Sequence, residues 1–293
     1  MKNQNNLSWI IFIFLTVVWG SAYVLMKKSL EVFSATELAT LRLGIAAIAL
    51  TPFALFHFKD LPRNTIGKVL LSGLMGNGIP AFLFANAQTK IDSTLAGILN
   101  ALTPVFVLLI GLILFRQKSS RVQILGIFLG FLGVFTLFVS KGKIQLQNVE
   151  YSLLVVLATF LYGMNLNYVR NQLHHVSSII IGSISIVIIG YFCLFYLIYN
   201  GMHNTIVNRT GAIDHLWYVG ILAVVGTAFS NILFYNLIKM KGPVFSSMIT
   251  FLMPFVSLLW GFAIGEKLGW QLFACMGLIL TGVYLVTKKT SIT

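Results

Sequence analysis

Part of this chain is written twice: residues 76–111 recur, without a gap, at residues 226–261, and both copies sit in apolar runs of helix length. At that offset of 150 (254 − 104), Gly76 meets Gly226, Leu83 Leu233, Phe84 Phe234, Asn86 Asn236 and Leu102 Leu252. Pro104 then meets Pro254, Leu108 Leu258, Leu109 Leu259 and Gly111 Gly261. Nine matches in thirty-six positions exceed the roughly three that chance supplies in so apolar a sequence, which points to a duplicated helical unit. Two units of similar length, 1–143 and 144–293, are therefore expected.

A duplicated unit this apolar has one solvent available to it. With 58% hydrophobic residues, 9% charged and a mean hydropathy of +0.91, too little polar surface remains to cover a soluble fold, so the expected surroundings are a bilayer. Apolar stretches of about twenty residues, each ended by charge, Pro, Gly or Asn, predict an all-α integral membrane fold of about ten spans. They fall at 8–28, 36–58, 66–88, 93–115, 121–140, 151–170, 177–199, 216–238, 243–265 and 270–287. The first is read as a helix and not a signal peptide, because it lacks a small-residue cleavage site and ends on Lys27-Lys28.

Five spans per half is an odd number, so the second unit must enter the membrane from the opposite side, giving a 5+5 inverted repeat around a central cavity. Lysines and arginines orient it. With the N-terminus inside, Lys2, Lys59, Arg63, Lys68, Arg116, Lys118, Arg121, Arg170, Lys239, Lys241, Lys288 and Lys289 fall on the inner side. Lys27, Lys28, Lys90, Lys141, Lys143, Arg209 and Lys267 fall on the outer side. Twelve against seven places both termini in the cytoplasm. The net charge of +13 is spread over short loops on both faces without a basic stripe, so it is read as facing solvent and lipid headgroups, with no nucleic-acid partner.

Pro104 and Pro254 each lie about eleven residues into a predicted span, where the ring removes a backbone hydrogen bond, and are expected to act as hinges at matching depths. On the same two spans Ala96, Asn100, Thr103 and Val107 share a face, as do Ser246, Thr250, Met253 and Ser257. Thr227, Asn231 and Tyr235 form a third polar row. Asn77, Ala81, Phe84 and Gln88 form a fourth, and Trp19 with Tyr23 and Tyr162 with Asn165 complete the set. Polar groups in hydrocarbon must pair or face water, so Trp19, Tyr23, Asn77, Asn100, Thr103, Tyr162, Asn165, Asn231, Tyr235 and Thr250 are the expected substrate-binding residues. Singly, each is equally well read as a hydrogen bond between helices.

Arg42 is the one charge placed clearly inside a span, about 9 Å along its helix. It is a possible partner for a substrate carboxylate, and it can equally snorkel to the interface or pair within the bundle. The acidic residues Glu31, Glu37, Asp60, Asp92, Glu150, Asp214 and Glu266 all fall in loops or at helix ends, leaving no mid-membrane carboxylate for a proton relay. Gly126, Gly130 and Gly133, with Gly277 and Gly282, allow close helix approach, either as scaffold or as a contact between copies, so the chain is a monomer or a homodimer. Cys193 and Cys275 are read as free thiols. No phosphate-binding loop is present, and no metal or cofactor is expected.

Trp19-Gly20-Ser21 with Lys27, Leu41-Arg42-Leu43, Leu102-Thr103-Pro104-Val105, Met253-Pro254-Phe255-Val256 through Gly265-Glu266-Lys267, and Gly277 to Gly282-Val283 together resemble the EamA-like branch of the drug/metabolite transporter superfamily, as two consecutive units. Arg116-Gln117 departs from it, standing where the first unit would carry the acid matched by Glu266. Tyr162-Gly163 stands where the first unit has Trp19-Gly20. The resemblance implies a secondary carrier of the bacterial inner membrane that moves small metabolites such as amino acids by alternating access, with export the expected direction. Two other classes remain: a polytopic membrane enzyme, for which His174, His175 and His203 are the candidate ligands or bases in predicted loops, and a passive channel.

Overall fold

The computed structural model describes residues 2–91, 93–140, 148–263 and 271–287; Asp92, Lys141, Lys143, Glu266, Lys267, Lys288 and Lys289 lie outside the described residues, as does the side chain of Ser257. Within them the chain is helical, with no strand. Helices α1 (Lys2–Ser29) and α2 (Ala35–His57) lead, through short 3-10 turns, to α3 (Ile66–Gly73), a π-helical turn (Leu74–Gly78) and α4 (Ile79–Ala87). Then come α5 (Ser93–Asn100), α6 (Thr103–Ile113), α7 (Arg121–Ser140), α8 (Val149–Gln172), α9 (Ser178–Tyr199) and the short α10 (Met202–Asn208). A second π-turn (Val224–Phe229) joins α11 (Ala212–Ala223) to α12 (Ser230–Lys241), before α13 (Pro243–Ser247), α14 (Ile249–Ala263) and α15 (Gln271–Thr287).

Seven helical stretches among the described residues are long and apolar enough to cross a bilayer, and three shorter apolar helices accompany them. Large apolar side chains stand on the outside, Phe56 at 83%, Ile198 at 74% and Trp217 at 73% exposure. Only lipid makes such a surface cheap. The molecule is a multi-pass membrane protein.

Local chemistry sets the helix starts. Ser34 caps α2 by accepting from the Glu37 N–H, while the Glu37 carboxylate accepts from the Ser34 N–H at 2.7 Å, a reciprocal pair that contributes about 1 kcal/mol. Ser177 caps α9 by accepting from the Ile179 N–H alone, at 3.2 Å. The two π-turns begin 150 residues apart (224 − 74), so the sequence repeat is also a structural one. Their causes differ. Pro80 lacks the N–H that would return to Gly76, whereas Thr227 and Ser230 donate their hydroxyls five residues back, to Leu222 O and Val225 O.

Packing pairs the halves. α2 lies along α9 and α7 along α15; α1 crosses α14 as α8 crosses α6, and α1 touches α12 as α8 touches α4. Lys241, closing α12, binds Asn5 at the start of α1, and Arg170 near the end of α8 donates to Lys239 O. At the other end Lys27 donates to Gln88 O, and Asn148, preceding α8, donates to Lys90 O. Thus α8 begins where α1 ends. That same end carries a polar cluster in which Arg209 pairs with Glu37 at 3.0 Å and also donates to Val32 O. The Lys28 hydrogen bond, and after it His215, hold the Glu31 carboxyl below its ordinary range.

Three expectations are corrected. Pro104 does not kink a continuous helix: it sits in the first turn of α6, where its missing N–H costs nothing, after a break at Ala101-Leu102. Pro254 does lie inside a helix, α14, yet the break there is at Met248, so the two bends are not at matching depths. Third, residues 200–215 are not a simple loop, because α10 and the start of α11 occupy most of them and place His203 on a helix.

Four of the five glycines, Gly126, Gly130, Gly133 and Gly282, pack within the molecule as scaffold. A Cβ at Gly282 would meet Gly126 O at 2.5 Å and Gly130 N at 2.6 Å, and one at Gly126 would meet Gly282 O at 2.7 Å, while Gly277 faces open space. These obstacles are backbone atoms, which cannot rotate away. Gly282→Leu is expected to cost about 1–3 kcal/mol by overpacking and to lower the thermal midpoint of the detergent-solubilised protein, with Gly277→Leu leaving it unchanged; equal effects in the two variants would contradict this packing.

Candidate functional site

Every interrupted helix borders one cavity, which also takes side chains from α1, α2 and α8. Its volume, about 100 Å³ counted as room for the centres of water-sized molecules, far exceeds the ~10–15 Å³ one water needs. A small organic molecule fits that space.

Two aromatic pairs form part of the cavity's walls. Trp19 meets Phe234 edge-on at 4.8 Å between centroids, and Tyr162 stacks on Phe84 at 6.1 Å. Phe84 and Phe234 are repeat partners (234 − 84 = 150), so one device is built twice. A glycine follows Trp19 on α1 and Tyr162 on α8: a Cβ at Gly20 would strike the Val256 side chain at 2.6 Å, and one at Gly163 would strike Phe106 at 2.9 Å. Val256 and Phe106 are again 150 apart. These glycines allow α1 to close on α14, and α8 on α6, until the aromatic one residue earlier reaches the cavity.

Between the walls lie the amides. Asn100 donates to the Tyr23 hydroxyl at 2.8 Å, and Thr103 donates back to Asn100 O at 2.8 Å. Asn165 accepts from Ser72 at 2.7 Å and donates to the Tyr235 hydroxyl at 3.4 Å. Asn231 donates to Thr227 O at 2.7 Å, and the Trp19 indole donates to Gly226 O at 2.9 Å. Both acceptor carbonyls lie in the second π-turn. Asn77 is 8% exposed and its amide nitrogen has no partner. Arg42, partly exposed to the cavity, donates through Nε to Thr227 Oγ1 at 2.7 Å.

Nine of the ten expected binding residues line this space together with Arg42, and the tenth does not: Tyr235 is fully buried and stands behind Asn165 as its support. Gln88, expected on the same face as Asn77, is buried at the end of α4 with both amide atoms unpartnered, away from the cavity. Sequence reasoning missed Ser72, Met26 and Phe234 as contributors. Phe234 was within reach as the repeat partner of Phe84, whereas Ser72 is singled out only by geometry, since Gly76 one turn later admits Asn165 beside it. His174 and His175 occupy a turn, with His174 bonded to Asn171 O, and among the described residues no group of His, Cys, Asp or Glu is arranged to hold a metal.

The EamA-like transporter family model matches residues 7–139 and again 150–288. The chain belongs to that family. Among the relatives of this EamA-like protein is an uncharacterized transporter of Archaeoglobus fulgidus, 25% identical over 96% of this chain and 99% of the other. The uncharacterized inner membrane transporter YedA of Escherichia coli is 23% identical over 93% of this chain and 88% of its own length, and Bacillus subtilis YoaV, also named an uncharacterized transporter, is 21% identical over 93% and 94%. A solved crystal structure shares the fold with a TM-score of 0.71 over 96% of this chain and 97% of the other, at 15% identity.

If the cavity of this EamA-like protein is wet, its walls accept reagents from water. In a background with Cys193 and Cys275 replaced by Ala, Asn77→Cys and Thr250→Cys are expected to react with a small water-soluble thiol reagent about tenfold faster or more than Asn167→Cys, which is fully buried away from the cavity.

Proposed function

We propose that the chain is a secondary transporter that exports small organic metabolites, amino acids or related compounds, across the bacterial inner membrane by alternating access. On this reading ten helical passes form two five-helix halves, 1–143 and 144–293, inserted with opposite orientation and with both termini in the cytoplasm. The observation that carries it is the cavity, whose walls are matched elements from the two halves: Phe84 with Phe234, Gly76 with Gly226, Asn100 with Thr250. Support also comes from the exchange of partners, α1 with α14 against α8 with α6, and from α8 starting at the end where α1 finishes.

Motion would centre on the broken helices. Where a helix is already interrupted, bending costs few hydrogen bonds, and the freed carbonyls find donors at the cavity instead of lipid. Pro254 leaves Thr250 O without its helical donor inside α14 and is the hinge best placed to act there. Trp19 and Tyr162 close on the cargo from opposite halves, with Tyr235 holding Asn165.

The test is counterflow in liposomes with labelled amino acids, nucleosides and amphipathic amines. Saturable exchange is expected for at least one class. Removing two amide hydrogen bonds of about 1 kcal/mol each, in Asn100→Ala with Asn231→Ala, should weaken it tenfold or more. Flux without saturation would make the protein a channel, and no flux of any solute would sink the transporter reading. Pro104→Ala combined with Pro254→Ala is expected to slow exchange severalfold with binding intact; an unchanged rate would remove the hinge.

A further inference from the structure

We propose that Arg42 anchors an anionic group of the cargo, a carboxylate, so that the cavity selects small organic acids with an apolar body. The inference rests on the transporter reading, whose site it deepens. Among the described residues Arg42 is the only charged side chain lining the cavity, and no described Asp or Glu lines it. Among the described residues no carboxylate forms an ion pair with it. A cation held in a low-dielectric site without a partner is costly, and the structure offers it no protein anion.

Geometry gives the cation its aim. Thr227 accepts from Nε at 2.7 Å and donates its own hydroxyl to Leu222 O at 3.0 Å, in the widened backbone of the π-turn. With Nε committed, the edge formed by Nη1 and Nη2 remains, and that edge makes the two parallel bonds that match a carboxylate. A second donor waits nearby on the same lining: the Asn77 amide nitrogen, nine-tenths buried and without a partner. Beyond the donors the walls are Trp19, Phe84, Tyr162 and Phe234, which suit a flat or apolar body. The repeat does not supply a matching charge, because α9 carries none from Ser178 to Tyr199. The cavity is positive on one side only.

The experiment measures binding and transport separately on the full-length protein. Thermal stabilisation is read with 3-phenylpropionate, its amide, phenethylamine, sodium chloride and sodium sulfate, and counterflow with the labelled carboxylate and amide. Wild type is expected to be stabilised by the carboxylate and not by the amide or the amine. Arg42→Gln should lose about tenfold to a hundredfold in carboxylate affinity, and Arg42→Lys, which keeps the charge without the two-point edge, should recover only part of it. If Arg42→Gln does not fold, Thr227→Val keeps the charge and frees Nε, and a severalfold loss confined to carboxylates is the expected result. Equal binding of the amide, a carboxylate preference that survives Arg42→Gln, or equal stabilisation by chloride or sulfate would each overturn the proposal. Saturable exchange of amines or nucleosides with no carboxylate bound would overturn it and leave the transporter reading standing. Carboxylate binding lost in Arg42→Gln, with no counterflow of any solute, would uphold the anchor and overturn transport instead.

Discussion

Helices in a bilayer gain nothing from hiding apolar surface from one another, because lipid tails are as apolar as leucine, so close fit must hold them. In this protein two such close fits border the cavity, where Gly20 meets Val256 and Gly163 meets Phe106. The two crossings decide how far α1 and α8 stand from the helices opposite, and hence how deep Trp19 and Tyr162 reach. The edge-on contact with Phe234, the stack on Phe84 and the width of the space between follow from those crossings. Side chains at either glycine would push an aromatic wall outward before touching any polar residue of the site.

The second constraint is the backbone. Irregular main chain in hydrocarbon is tolerated only where it borders a cavity or protein, and the two π-turns and the breaks near Leu102 and Met248 all border the same one. Side chains bring further donors to carbonyls in and beside the second π-turn: Trp19 for Gly226 O, Asn231 for Thr227 O, Thr227 itself for Leu222 O. The site is thus polar through its backbone as much as through its side chains. This explains how so apolar a chain builds a polar interior with few ionisable groups.

Much of this was legible in the sequence. Apolar length alone put the second helix at 36–58, against Ala35–His57 observed, and periodicity gathered Asn100, Thr103 and Thr250 onto faces that do line one space. What periodicity of 3.6 cannot register is a departure from 3.6, so the π-turns were invisible, and with them the acceptors for Trp19 and Asn231. It also cannot tell the front of a polar row from its back, which is why Tyr235 was expected in the cavity and stands behind Asn165. Equal spacing of Pro104 and Pro254 suggested equal bends, yet the first proline opens a helix and the second interrupts one. Whether the glycines of α7 faced another copy or α15 depended on rotation about the helix axis, which pattern alone left open and Gly282 against Gly126 O decides.

The two halves share shape but not chemistry: Trp19 answers to Tyr162, Asn77 to Thr227 and Thr103 to Met253 across the repeat. On the proposed transporter reading, a perfect inverted duplication would make the inward-open and outward-open forms two-fold equivalents of equal energy, and the empty protein would divide itself evenly between them. Each unmatched pair lifts that degeneracy by whatever its two environments differ, and a few kcal/mol suffices to leave the minor form at the per cent level or below. On that same reading, the drift of side chains within a repeated frame gives the molecule a resting side, and with it a face at which cargo is first met.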